Sequence, residues 1–254
     1  MDVYWLEQTE NDLPQSNDWL SSSELAVLKG LRFASRRDSW RLGRWTAKRA
    51  VAGYLNLSHA TPALAKIELR PGPSGAPDVF FETKLAPVTI SLSHRNGRAI
   101  CTVAPPGDEL GCDLELIEPR SNAFIADYFA PEEQTLITQL SPADRPALLA
   151  LLWTGKESAL KALREGLRFD TRSVIVDPVD MSTSVNGWNP IQVRHTAGQT
   201  FNGWWQVADR MVYTVVAAPP PAPPISLKII SHASNGAPAS LGVDESPALA
   251  RQRI

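Results

Sequence analysis

The 254-residue chain is short of several things, and each shortage excludes something. Two cysteines, Cys101 and Cys112, are too few for a disulfide framework and have no zinc-ligand spacing. No uninterrupted apolar run reaches the length of a membrane span. The opening residues "MDVYWLEQTENDLP" are acidic and lack a basic start followed by an apolar core, so no secretory leader is read there. An excess of one charge is also missing. Formal net charge is −2, which commits the whole chain to neither nucleic acid nor membrane. What is present is a hydrophobic fraction of 43% and a charged fraction of 20%, the balance of a soluble globular protein. A reducing cytoplasm is the expected setting.

Periodicity gives a mixed sequence of elements. A strand is expected at Val3–Leu6. "SSSELAVLKGL" opens with Ser21 three residues before Glu24, the spacing of a capping box. "DSWRLGRWTAKRAVAGYL" reads as a second helix capped by Asp38, with Ala47, Val51 and Leu55 at helical spacing. After the turn-forming "RPGPSGAPD" come strands near Val79–Phe81 and Val88–Ser93. "APPGDE", residues 104–109, marks an internal boundary, since Pro-Pro-Gly cannot continue a strand. Beyond it a strand is expected at 110–116 and helices near 121–128 and 131–140. A long helix follows, capped by Asp144 and stopped by Gly166. Strands near Ser173–Val176, Ile191–Arg194, Trp204–Ala208 and Val212–Ala217 complete the series. The expected organisation is an N-terminal unit over 1–104, a C-terminal unit over 109–218 and a Pro-rich, mostly disordered tail over 219–254. One short apolar piece of that tail, Ile225–Ile230, is a candidate for packing onto the core.

Four stretches carry residues suited to chemistry. In "GCDLELIEPR" the alternation of a strand puts Asp113 and Glu115 on one face, with Cys112 and Leu114 on the other. Either that face is solvated or a cation sits between the two acids. In "WTGKESALKAL" the residues Trp153, Lys156, Glu157, Leu160, Lys161 and Arg164 share one side of a helix. Glu157 and Lys161 alone would make an ordinary helical ion pair worth ~0.3 kcal/mol. Gly155 in the helix interior costs about 1 kcal/mol against alanine, which implies a close approach there. Between Lys29 and Arg49 eight basic residues stand against one acid, Asp38. Arg37, Arg41, Arg44 and Lys48 among them form a stripe that suits an anionic partner, phosphate above all. In "TISLSHRNGRA" Ile90 and Leu92 are expected inside and Ser91 and Ser93 outside. His94 ends that strand at an Asn96-Gly97 turn.

Taken in series, "SLSHRNGRA", "GCDLELIEPR", "FAPEE" and "LWTGKESALKAL" resemble the 4′-phosphopantetheinyl transferases of the surfactin-synthetase type. The resemblance spans roughly Arg36 to Val216 and leaves out the Pro-rich tail. It implies an α+β fold of two similar α/β subdomains, an intramolecular pseudo-dimer, with coenzyme A between them. The implied reaction moves the 4′-phosphopantetheine of coenzyme A onto a serine of an apo acyl or peptidyl carrier protein and releases 3′,5′-ADP. It implies Mg²⁺ held by Asp113, Glu115 and Glu157 with the coenzyme pyrophosphate. Lys161 would meet the phosphate and leaving group, and Glu157, or a water beside the metal, would take the serine proton. Lys156, Ser93, His94 and Asp113 would hold the coenzyme phosphates. The family arginine for the 3′-phosphate falls on Arg41, with Arg44 and Lys48 as neighbours. The family's Gly-Lys-Pro loop reads Gly75-Ala76-Pro77 here, so the turn is kept and a cation is lost. Cys112 stands where an aliphatic residue is usual. The implied partners are the carrier and coenzyme A, with no nucleic acid and no membrane, for a monomer. Residues 225–254 are expected to be dispensable for transfer. The competing readings are a coenzyme- or carrier-binding module without catalysis, and a nucleic-acid binder using the Arg-rich helix. Every catalytic position is filled, which favours the enzyme. No nucleic-acid-binding motif accompanies the helix.

Overall fold

The computed structural model describes residues 1–164, 170–178 and 184–228. Strand β1 (Tyr4–Thr9) leads to α1 (Ser22–Gly30), α2 (Ala34–Tyr54) and the short α3 (Thr61–Leu64). Then come β2 (Ile67–Pro71), β3 (Pro77–Phe81), β4 (Lys84–Leu85), β5 (Thr89–Arg95), β6 (Arg98–Ala104) and β7 (Glu109–Leu116). Helices α4 (Asn122–Tyr128), α5 (Pro131–Gln139) and α6 (Arg145–Ala162) follow. The last strands are β8 (Val174–Pro178), β9 (Asn189–His195), β10 (Thr200–Ala208), β11 (Met211–Ala218) and β12 (Ile225–Ser226). They form sheets in the orders β12-β1-β6-β5, β7-β11-β10-β9-β8 and β2-β3-β4. The class is α+β.

One core joins α2 to the first sheet through Trp19, Leu20, Ala47, Val51, Ile90 and Val103. A second joins α6 to the five-stranded sheet through Leu152, Ala159, Val176, Val193 and Val216. A third lies between the sheets, where Val3, Ile100, Cys112, Leu114, Tyr213 and Val215 meet. Strand β6 therefore has no solvent face, with Cys101 and Val103 in the first core and Ile100 and Ala104 in the third.

The two α/β units repeat one internal clamp. In the first, Ser21 Oγ accepts from Glu24 N at 3.3 Å and Glu24 Oε2 accepts from Ser21 N at 3.0 Å, the expected capping box. Glu24 also accepts from Leu69 N of β2 and pairs with fully buried Lys48 at 2.5 Å. Lys48 Nζ donates to Trp19 O and Leu64 O and lies over the Trp19 ring. In the second, Glu133 accepts from Ala130 N and from Val176 N of β8, and pairs with fully buried Lys156 at 2.6 Å. Lys156 Nζ donates to Thr171 O and Val174 O and lies over the Phe129 ring. Both lysines follow a tryptophan by three positions, in Trp45-Thr46-Ala47-Lys48 and Trp153-Thr154-Gly155-Lys156. The repeat is in the chain and in the fold.

Several local expectations are corrected. Helix α2 starts at Ala34, so Asp38 lies inside it and Phe33 occupies the cap position without a side-chain bond. Asp144 stands at the cap of α6 but its backbone is helical and makes no cap bond, its carboxylate being taken by Ser141 Oγ. Arg164, at φ 57°, follows the last turn of α6, and Gly166 is outside the described residues. Ser91 is buried and its Oγ accepts from Cys112 N at 2.9 Å, because the outer face of β5 packs on β7. Strands β2, β4 and β6 were not foreseen. At the tail, β12 pairs in parallel with β1, and Leu227 packs on the first core. Residues from Ile229 onward, with the expected disorder there, lie outside the described residues.

Candidate active site

Two glycines set the distance between α6 and the sheet beneath it. A Cβ on Gly111 of β7 would lie 1.7 Å from the Ser158 carbonyl oxygen, so only glycine lets helix and strand approach this closely. A Cβ on Gly155 would meet Val176 Cγ2 at 2.8 Å, which accounts for a glycine inside the helix. The close packing brings the end of α6 over Asp113. Lys161 Nζ donates to Asp113 Oδ1 at 2.8 Å and to Cys112 O at 3.0 Å. From the other side Ser93 Oγ, on β5, donates to the same Asp113 oxygen at 2.6 Å. Three elements that are remote in sequence thus meet on one carboxylate. The His94 ring lies against α2, with its Cδ2 3.6 Å from where a Gly43 Cβ would stand.

Charge at this junction is unbalanced toward the negative. Glu115 is held by Arg95 at 3.3 Å and Arg120 at 3.0 Å. Burial nevertheless pushes its pKa up. Glu157 is half-buried and, among the described residues, makes no hydrogen bond or ion pair. Burial first, and then the Asp113 charge, raise its pKa to about 7. For Lys161 burial works against the charge, but Asp113, Cys112 and Glu157 together outweigh it and the ammonium is held above its ordinary range. The His94 imidazole is held below its usual value by desolvation and by Lys161.

Among the described residues no three His, Cys, Asp or Glu side chains already converge as a metal cluster. The donor chemistry still fits magnesium. Hard carboxylate oxygens sit on β7 and α6, and Asp113 and Glu115 both act on the Glu157 carboxyl through space. Magnesium takes one or two protein carboxylates and completes its shell with water and substrate phosphate.

A cavity of about 620 Å³ lies among α1, α2, β2 and the Leu92 side of β5. Its lining includes Trp40, Arg44, Glu68, Gly75, Pro77 and Leu92, the last two residues short of His94. Arg44 and two residues of the Gly75-Ala76-Pro77 loop therefore share a space continuous in sequence with the β5 end. Ala76 is not in the lining; its carbonyl accepts from Gly72 N at 2.7 Å. Arg41 faces elsewhere, with Nε on Asn17 Oδ1 at 2.9 Å and a terminal nitrogen on Pro14 O at 2.6 Å. The two lysines expected on phosphate, Lys48 and Lys156, are placed otherwise by the fold: each is fully buried, with its ammonium in the internal clamp. Lys156 precedes Glu157 by one position, and that single step around the helix turns it away from β7. Among the described residues no helix is long and apolar enough to cross a membrane.

Sequence comparison agrees with the motif reading. Residues 109–214 match the model of the 4′-phosphopantetheinyl transferase superfamily. The chain is 30% identical over 167 residues to the 4′-phosphopantetheinyl transferase HetI of Nostoc sp., covering 64% of this chain and 67% of that protein. It is 27% identical over 176 residues to a putative 4′-phosphopantetheinyl transferase of Synechocystis sp., covering 68% and 69%. It is 32% identical over 120 residues to AcpT of Escherichia coli O157:H7, covering 46% and 56%. Among solved structures, a holo-(acyl-carrier-protein) synthase of Bacillus anthracis in complex with CoA (3′,5′-ADP) superposes with a TM-score of 0.33 at 23% identity. That match covers 40% of this chain and 92% of that one.

Proposed function

The chain belongs to the 4′-phosphopantetheinyl transferase superfamily, and on that premise we propose that it moves the 4′-phosphopantetheine arm of coenzyme A onto a serine hydroxyl of an apo carrier protein. The observation that carries this reading is the meeting of Lys161, Ser93 and Asp113 beside a Glu157 whose carboxylate makes no hydrogen bond or ion pair among the described residues. The coenzyme would run from the cavity, which reaches Leu92 of β5, toward that meeting point. Arg44, facing the cavity, is better placed than Arg41 to read the nucleotide end. Ser93 and His94 are placed to donate to the pyrophosphate.

Asp113, Glu115 and Glu157 would hold Mg²⁺, which when bound supplies positive charge to the phosphate oxygens. The protein's own groups do the rest. The carrier hydroxyl attacks the β-phosphorus, the bond to the bridging oxygen breaks, and 3′,5′-ADP leaves. Glu157, whose carboxylate makes no hydrogen bond or ion pair among the described residues, would take the hydroxyl proton. Lys161 holds an ammonium beside the reacting phosphate, where charge accumulates, and a preorganised donor of this kind stabilises the transition state more than the ground state. Buried Lys48 and Lys156 position helices rather than phosphates. We assign the surfactin-synthetase type because the Ser-His, Gly-x-Asp-x-Glu and Trp-x-x-Lys-Glu motifs occur in that order on one chain.

Incubation with coenzyme A, Mg²⁺ and a panel of apo-carriers, read by intact mass, tests the proposal. A gain of one phosphopantetheine on a carrier is the expected result. Saturable coenzyme binding without any mass gain would favour a binding module.

A further inference from the structure

The Trp-Thr-x-Lys repeat continues past the clamp. In its register Arg49 of α2 stands where Glu157 stands in α6, and Gly53 where Lys161 does. Helix α2 therefore carries a counterpart of the catalytic face, and its charge is inverted. That face borders a second cavity, of about 740 Å³, lined among others by Trp45, Arg49, Gly53, Asn56, His59 and Lys228. Among the described residues no carboxylate belongs to its lining.

The polar groups around it are unusually underused. The half-buried Arg49 guanidinium lies 5.3 Å over the Trp45 ring and makes no hydrogen bond or ion pair among the described residues. The carboxylate that acts on it through space is Asp12. Trp45 is only 7% exposed, and its Nε1–H, buried, has no acceptor; buried His59 Nδ1 also has no partner. Unpaired buried polar atoms are costly and call for an explanation. The His59 ring packs over Gly53, 3.9 Å from where a Cβ would be, at ordinary contact distance. A helix C-terminus ordinarily disfavours an anion. Here the carbonyls of Val51, Ala52 and Gly53 accept from the amides of Leu55, Leu57 and Asn56, and Asn56 takes the left-handed turn at φ 54°. The end of α2 is largely neutralised.

The geometry points to a second ligand site, separate from the catalytic junction, that takes the phosphate of a small phosphomonoester between Arg49 and Lys228, with His59 and the Trp45 indole beside it. The cavity is larger than inorganic phosphate needs, so the organic part of the ester would occupy the remainder. This site does not depend on the transferase assignment. The test follows the Trp45 indole N–H resonance of the full chain during titration with inorganic phosphate and with glycerol 3-phosphate. Both are expected to shift it saturably, the ester at lower concentration. Arg49→Gln is expected to weaken binding about tenfold or more, the loss of one charge-assisted bond, and Lys228→Gln to weaken it as well. Lys161→Ala is expected to leave it unchanged. No saturable shift, a shift that survives both Arg49→Gln and Lys228→Gln, or a shift lost with Lys161→Ala would overturn the proposal. If inorganic phosphate binds as tightly as the ester, the site is one for the free anion and the phosphomonoester is excluded. Should Arg49→Gln fail to fold, Lys228→Gln decides alone.

Discussion

On the proposed function, Lys161 and Arg44 would meet the same coenzyme at opposite ends, and their loss should register in different kinetic constants. Lys161→Ala removes a donor at the reacting phosphate, so kcat should fall on the order of 10²–10³ with the KM for coenzyme A little changed. Arg44→Ala removes a cavity contact equal in ground and transition state, so KM should rise with kcat largely kept. Steady-state kinetics of the two variants separates these outcomes, and the reverse pattern would exchange the roles. Glu157 adds a pH signature. Its carboxyl rises from 4.5 to about 7 on folding, so the folded chain keeps a proton that the unfolded chain releases in that window. Metal-free protein should lose stability as pH rises from about 4.5 to about 7, because the unfolded state gains by ionising first. Melting temperatures measured across that range should show the fall in wild type and a smaller one in Glu157→Gln. Parallel curves would show that Glu157 is not shifted.

At the scale of elements, what was legible in the sequence was what is local. Alternation in β7 places Asp113 and Glu115 on one face, and helical spacing places Glu157 and Lys161 on one side of α6, because both rules need only neighbouring residues. The roles of Lys48 and Lys156 were not legible by those rules, since their partners Glu24 and Glu133 come from a preceding helix. The signal that could have found them is the repeated Trp-Thr-x-Lys, together with an acid at the third position of the helix before it. Strand β6 escaped because both its faces are apolar, and an alternating strand is then indistinguishable from any short hydrophobic run. The buried clamp makes a sharp prediction. Lys156→Met should cost about 3–5 kcal/mol, because it leaves the Glu133 carboxylate buried without its cation. Urea unfolding measures this directly, and a loss below about 1 kcal/mol would mean that Glu133 simply takes up a proton.

Across the whole molecule, the end of the described chain is tied to its beginning. Ile225 N donates to Val3 O, Leu227 N to Trp5 O, and Ala222 N to Met1 O. A chain ended before Pro219 should therefore melt at a lower temperature. Unchanged melting would show that β12 contributes nothing to the first core. The pairing of β1 with β12 also sets an order of events. Tyr4 and Ile225 are among the most distant partners the chain contains, so this contact closes the longest loop and contributes to slow folding. On a ribosome adding about 5–20 residues per second, β1 emerges roughly 10–40 s before the strand that covers its outer edge. During that interval its free amides and carbonyls face whatever extended chain is nearby. Strand β1 is made early and completed late, and crowding by other nascent chains is a condition under which its open edge can pair wrongly.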